Sequence, residues 1–327
     1  ARVDYDGTAS SLLVEPERKN EVTYSEDLSV LQKVSIGTAS APVTTSNYAI
    51  APDGTQTATR VVFNLNGGTS IGDRSILRQA IPIGSNYYFS IYVKSTDGTE
   101  QKVMWHDGGE FNLTTVTNEW VRITYDANVG ISYAGIALKG GQGVDSSDIL
   151  TWGFQVETGS YATSYIPTDG STVTRVADQY SKTGISNLIN SEEGVLFVEM
   201  AYLNNTGNYK SLSISDGTTD NRVTFENRPV LNQIKAFVNV SGTNVMSSTQ
   251  TLTDVKEFNK MALKWKQNDF AWWVNGVEIY TDTSGNTFSE DTLNRLAFDR
   301  GDGFIQLEGK IKQLQVFKTA LTDTELA

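Results

Sequence analysis

The sequence has no cysteine, one histidine (His106) and only 6 prolines among its 327 residues. Without cysteine there are no disulfide staples, thiolate metal sites or cysteine nucleophiles, so packing or a hard cation must hold the fold together. A Ser-His-Asp triad has a single histidine to form around, and no Gly-x-Ser-x-Gly elbow accompanies it. A glycine-rich phosphate loop followed by Lys-Ser/Thr is also missing. No window approaches the roughly 18–20 consecutive apolar residues of a membrane helix, so helical insertion into a membrane is not expected. The opening ARVDYDGTAS lacks the basic-then-apolar layout of a signal peptide, and a chain starting on Ala1 reads as processed or partial. Positive charge is in deficit, and a net charge of -12 repels phosphate backbones, which argues against nucleic acid as a partner.

What is present is β structure. Charged residues make up 20% and hydrophobic residues 39% of the chain, with 28 glycines, a balance that suits a turn-rich globular protein and not a disordered one. Short alternating runs such as TATRVVFNL, NYYFSIYVKS, QKVMWHD, GVLFVEMAYL and IKAFVNVS recur at spacings of about 8–12 residues, separated by Gly, Asn, Asp and Ser. In KMALKWKQNDFAWWVNGVEIY, turn chemistry at Gln267–Asp269 and at Asn275-Gly276 splits a long run into hairpin arms. The closing ALTDTELA pairs Thr322 with Glu325 three residues on, which predicts one short capped helix. GSYATSYIPTDGSTVTRVADQYSKTG breaks the alternation midway and contains Pro167, which disfavours a central strand. The expected organisation is an extended arm over 1–20, a first sandwich over 21–171, a linker over 172–190 and a second sandwich over 191–327.

Some stretches carry a resemblance. SLLVEPERKNEVTYSEDLS, APDGTQTATRVV and above all Trp152 through Asp178 are similar to a recurrent arrangement in phage and prophage structural proteins. In that last stretch a Trp-Gly-x-Gln-x-Glu strand is followed by Thr-Ser-Tyr-Ile-Pro-Thr and then Val-Thr-Arg-x-Ala-Asp. The opening departs from the usual pattern, with Lys19-Asn20-Glu21 where Thr-Asn-Leu is more usual. The second half resembles the concanavalin A or laminin-G sandwich, through its Trp-x-Val-Asn-Gly strand and its closing strand followed by LTDTEL. The resemblances imply an all-β protein of two tandem antiparallel sandwiches, a carbohydrate-binding-module-like jelly roll and then a concanavalin A/laminin-G-like domain. They also imply a tail fibre, tailspike or capsid appendage on the virion surface or in the extracellular space. Its partners would be surface polysaccharide and other virion proteins, with homo-oligomerisation left open. A purely structural decoration protein, or an accessory part of a polysaccharide-active enzyme, are the alternatives, because fold alone does not assign a site.

Sugar sites present aromatic faces beside amides and carboxylates. Trp105, His106 and Asp107 enter a Gly-Gly turn together and form one candidate. Tyr88 is a second, since alternation places it opposite Phe89 and Ile91. Trp272 and Trp273 are a third: adjacent residues face opposite sides of a strand, so one is either a platform or covered by other chain. Acidic turns at Asp145/Asp148, Asp216/Asp220 and Asp299/Asp302 are weighed as oxygen ligands for calcium, Asp299 and Asp302 first, against their ordinary use in capping turns. Catalysis is not expected, because no closely spaced carboxylates alternate on one strand and Glu199 stands alone.

Overall fold

A computed structural model of the chain describes residues 2–6, 9–84, 86–127, 130–205 and 207–327. It is nearly all β, with every strand pair antiparallel, and it divides into two compact units: Glu17–Val176, and Ala1–Pro16 joined with Ala177–Ala327. The expected all-β fold of two antiparallel sandwiches is what forms.

In the Glu17–Val176 unit two five-stranded sheets face each other. One runs Glu110–Val116, Gln101–His106, Ile131–Lys139, Arg74–Gly84, Gln32–Ile36, and the other Val121–Ala127, Tyr87–Ser95, Ser146–Thr158, Ala58–Asn64, Ser40–Ala49. Alternation sets the faces: Phe89, Ile91 and Val93 enter the core, whereas Tyr88, Tyr92 and Lys94 point away from it. Leu77, Trp105 and Ile136 meet them from the opposite sheet. The unit is closed by a short ladder in which Val173–Arg175 pairs with Arg18–Asn20.

The other unit packs a seven-stranded sheet on a six-stranded one. Its first residues are not an extended arm. Arg2–Asp6 and Ala9–Val14 form a hairpin whose second strand pairs with Gly309–Phe317, and Val14 is buried in the core. Ser181–Thr183, expected as linker, pairs with Arg295–Ala297 at the edge of the six-stranded sheet. The long tryptophan-rich run breaks into Asn259–Lys266, Phe270–Val274 and Val277–Asp282 at the expected turns, with Asn268, Asn275 and Gly276 at positive φ. Asp323–Leu326 is the short terminal helix, with the reciprocal Thr322–Glu325 capping box in place.

Candidate functional site

The aromatic residues singled out above do not converge. Trp105 is 1% exposed, stacked on Tyr125 with ring centroids 5.9 Å apart and edge-on to Phe89 at 6.0 Å. It is a core ring, because its strand turns it toward the opposite sheet, and its faces are not open to a sugar. Asp107 caps the same cluster by accepting the Tyr125 hydroxyl at 2.9 Å, and burial together with that bond keeps Tyr125 protonated. His106 points to the other side of the sheet, 3.5 Å from the Arg78 guanidinium, which itself lies 3.9 Å over the Tyr133 ring. Tyr88 is half-buried and belongs to the outer face of the second sheet.

In the other unit Trp272 is fully buried in the core, while Trp273 lies on the opposite side of its strand, as adjacent residues must. Trp273 is 8% exposed beneath Leu321 and Leu326 of the closing segment, at the wall of a depression of about 280 Å³. The covering anticipated for the outward ring is therefore supplied by the end of the chain itself.

Asp299 and Asp302 are not free to hold calcium. Arg295 takes both carboxylate oxygens of Asp299, at 2.8 and 2.5 Å, and Arg300 takes those of Asp302. Among the described residues no three acidic or histidine side chains come together as a metal site. Partial burial pushes Asp302 up, but the Arg300 hydrogen bonds and the Phe304 N–H hold it below its ordinary value of 3.8. A carboxylate with a depressed folded value contributes stability that is complete above the unfolded value and lost as pH falls through the folded one. On acidification below about pH 4 the Asp302→Asn protein should therefore lose melting temperature less steeply than the parent, and excess calcium should move neither. Parallel acid slopes, or a calcium-dependent rise, would contradict this assignment.

The residues that do converge lie at one end of the Glu17–Val176 unit, and the Trp152–Asp178 motif builds the place where they meet. After Thr158 the chain folds back over the outer face of the Ser146–Thr158 strand, where polar side chains alternating outward pin it. Glu157 accepts the Thr163 N–H at 2.7 Å, the Thr163 hydroxyl at 2.6 Å and the Gln155 amide at 2.8 Å. Gln155 accepts the Ile166 N–H, and Arg122 and Arg175 donate to the carbonyls of Thr163 and Ser164. Asn20 donates to the carbonyls of Phe154 and Ile166 and accepts from the N–H groups of Val22 and Val156. The buried Gln155, Glu157 and Asn20 side chains thus find their partners in the chain that they hold.

The strap sets Tyr165 against Trp152, centroids 4.5 Å apart, with Tyr92 also against the indole at 5.5 Å. Trp152 donates to the Thr57 hydroxyl at 3.0 Å, and Tyr165 donates to Glu26 at 3.1 Å. Burial pushes the Tyr165 hydroxyl well above its ordinary range, so it stays a donor. In front of this backing is a depression of about 490 Å³ lined by Tyr24, Glu26, Asp27, Asn47, Thr57 and the Pro167–Asp169 turn. Asp27 also accepts the Ser29 N–H, which fixes its rotamer, and Tyr24 pairs with Asp169 across an isolated bridge. An aromatic ring, an amide, a hydroxyl and three carboxylates face one space that no basic residue lines. Such a set accepts hydrogen bonds from hydroxyl groups and repels anions. Sequence reading passed over these residues because they come from four separated segments. Gln155 and Glu157 alternate outward, and it is the break in register between Trp152 and Gln155 that brings Trp152 to the same face.

No family model matches the chain, and no curated protein matches it. Solved structures that resemble it include a carbohydrate-binding module of the Ruminococcus gnavus IT-sialidase, 18% identical over 45% of this chain and 96% of that one, with a TM-score of 0.35. A heptameric SAP-like pentraxin from Limulus polyphemus is 13% identical over 42% of this chain and 70% of its own, with a TM-score of 0.34. Domains LG4-5 of the mouse laminin alpha1 chain span 98% of this chain and 95% of their own at 9% identity, with a TM-score of 0.31.

Proposed function

We propose that the protein is a non-catalytic glycan-binding component of a virion appendage, and that the depression at Tyr24 and Asn47 receives a neutral sugar. The observation that carries this reading is the composition of the pocket: hydrogen-bond acceptors for hydroxyls beside an aromatic ring, braced by the Trp152–Tyr165 pair. The appendage role, with surface polysaccharide and other virion proteins as partners, draws its support from the resemblance of the Trp152–Asp178 motif to phage structural proteins. Hydroxyl–protein bonds replace hydroxyl–water bonds at little net gain, so most of the affinity comes from apolar area covered on the ring, on the order of 1–2 kcal/mol. One site of that kind is weak, and repeated display on an appendage amplifies it.

The test is calorimetry with neutral oligosaccharides on the parent, Tyr24→Ala and Asn47→Ala proteins, alongside reducing-end release from a polysaccharide panel. A bound neutral sugar, lost in both variants while cooperative melting persists, is the expected result, with no release of reducing ends. Undiminished binding in both folded variants overturns the site, and release abolished by a Glu26→Gln or Asp27→Asn change overturns the non-catalytic reading.

A further inference from the structure

A neutral sugar leaves most of the charge in the depression at Tyr24 unanswered. Glu26, Asp27 and Asp169 line it beside Tyr24, Asn47 and Thr57, and no lysine or arginine lines it with them. None of the three carboxylates has a basic side chain within ion-pair distance among the described residues. Glu26 accepts the Tyr165 hydroxyl at 3.1 Å and Asp27 the Ser29 N–H at 3.0 Å, neutral donors that leave the charge in place. Asp169 is exposed at the end of a turn that is held by its bridge to Tyr24 and by the bond from the Thr168 N–H to the Ser25 hydroxyl at 2.8 Å. Glu26 and Asp27 are half-buried, so all three stand where a ligand in the depression meets them.

Like charges held around one depression repel one another, and a ligand that brings a cation lowers that cost. The field reaches the ring behind the depression. Burial pushes the Tyr165 hydroxyl up, and the charges of Glu26 and Asp53 push it further, against the hydrogen bond with Ser25. A divalent metal is not the cation that fits, because among the described residues no three carboxylates stand together as a ligand set. Separated acceptors suit an ammonium group, whose three N–H donors reach different partners. Thr168 lines the same space, is 6% exposed, and has a hydroxyl without a partner in the chain, so one more polar group there is unmatched in the free protein.

We propose that the preferred ligand of this depression is a sugar carrying a protonated amine in place of one hydroxyl, the ring covering Tyr24 and the ammonium held among Glu26, Asp27 and Asp169. The proposal rests on the reading of the same pocket as a sugar site and adds the substituent that the carboxylates select. A hydrogen bond with both partners charged is stronger than the bond that a hydroxyl donates to the same carboxylate. The order of affinity is then amino sugar, neutral sugar and, last, sugar acid, which these carboxylates repel. Asn47 and Thr57 hold the remaining hydroxyls, which separates an amino sugar from a bare amine.

Calorimetry on the full chain at about pH 6, where an amine is protonated and carboxylates are ionised, tests it with glucosamine and galactosamine oligomers, their N-acetylated forms, glucose and galactose oligomers, and trilysine. At low salt one amino oligomer should bind roughly 3–10-fold tighter than its neutral counterpart, the worth of one or two partly exposed charge pairs. N-acetylation should remove that advantage, and so should about 1 M salt, which screens charges beyond roughly 3 Å. Asp27→Asn and Asp169→Asn, each checked for cooperative melting, should narrow the ratio of amino to neutral affinity. Neutral oligomers that bind while neither amino form binds tighter overturn the proposal and leave the sugar site standing, whereas failure of every oligomer overturns the site itself. An advantage that survives N-acetylation or high salt, a ratio unchanged in both folded variants, or trilysine binding as tightly as the amino oligomer also overturns the proposal.

Discussion

A chain beginning at Glu17 is expected to lose the fold of residues 177–327 while residues 17–176 still melt cooperatively. The segment removed is structural: Leu12, Leu13 and Val14 pair with Ile311, Lys310 and Gly309, and Leu13 and Val14 are buried. Arg2 bonds both Glu15 and Asp178, and Asp178 in turn accepts the Glu15 N–H and donates its own N–H to the Glu15 carbonyl. Burial of a Val or Leu side chain is worth about 1.5–3 kcal/mol, so these two alone approach the lower end of the 5–15 kcal/mol that typically holds a domain. Their loss also opens Gly309–Phe317 as a bare sheet edge, a template for aggregation. Differential scanning calorimetry should show one of two transitions lost or moved far down, and a synthetic peptide of residues 1–16 should restore it by strand addition. An unchanged transition for the 177–327 segment would contradict the discontinuous organisation.

The second large effect is expected at Glu157. The carboxylate is fully buried, accepts three hydrogen bonds from Gln155 and Thr163, and has the Arg18 guanidinium 3.8 Å away. Glu157→Ala deprives the half-buried Arg18 cation, one backbone N–H and two side-chain donors of this acceptor, and breaking a buried pair in this way costs about 3–5 kcal/mol. The transition of the Glu17–Val176 unit should fall steeply and that of the other unit should stay in place, which makes the second transition an internal control. Glu157→Gln keeps an acceptor without the charge and should fall between the two. Neutral-sugar binding should weaken in step, since the strap positions Tyr165 and the Pro167–Asp169 turn. A variant that melts with the parent would show that the strap is held by the aromatic contacts alone.

Local features were legible in the sequence because their causes are local. The Asn275-Gly276 turn follows from residues that tolerate positive φ, and the Thr322–Glu325 box from two reciprocal bonds three residues apart. Alternation likewise separated Trp272 from Trp273 and Tyr88 from Phe89. What sequence could not supply is the partner across a sheet. Leu12 and Ile311 meet from opposite ends of the chain, so an arm and a strand look alike until the pairing is seen. The same limit misplaced the sites. Trp105-His106-Asp107 is a run of adjacent residues, yet the strand sends Trp105 and His106 to opposite sides. The pocket at Tyr24, Asn47, Thr57 and Asp169 has no run at all.

The central claim is that the depression at Tyr24 and Asn47 receives a neutral sugar. A glycan array carrying neutral and acidic saccharides, probed with the parent and Tyr24→Ala proteins, tests it most directly. The account predicts neutral signals from the parent that the Tyr24→Ala protein loses while it still melts cooperatively. A parent without neutral signals, or a folded Tyr24→Ala protein that keeps them, would contradict it.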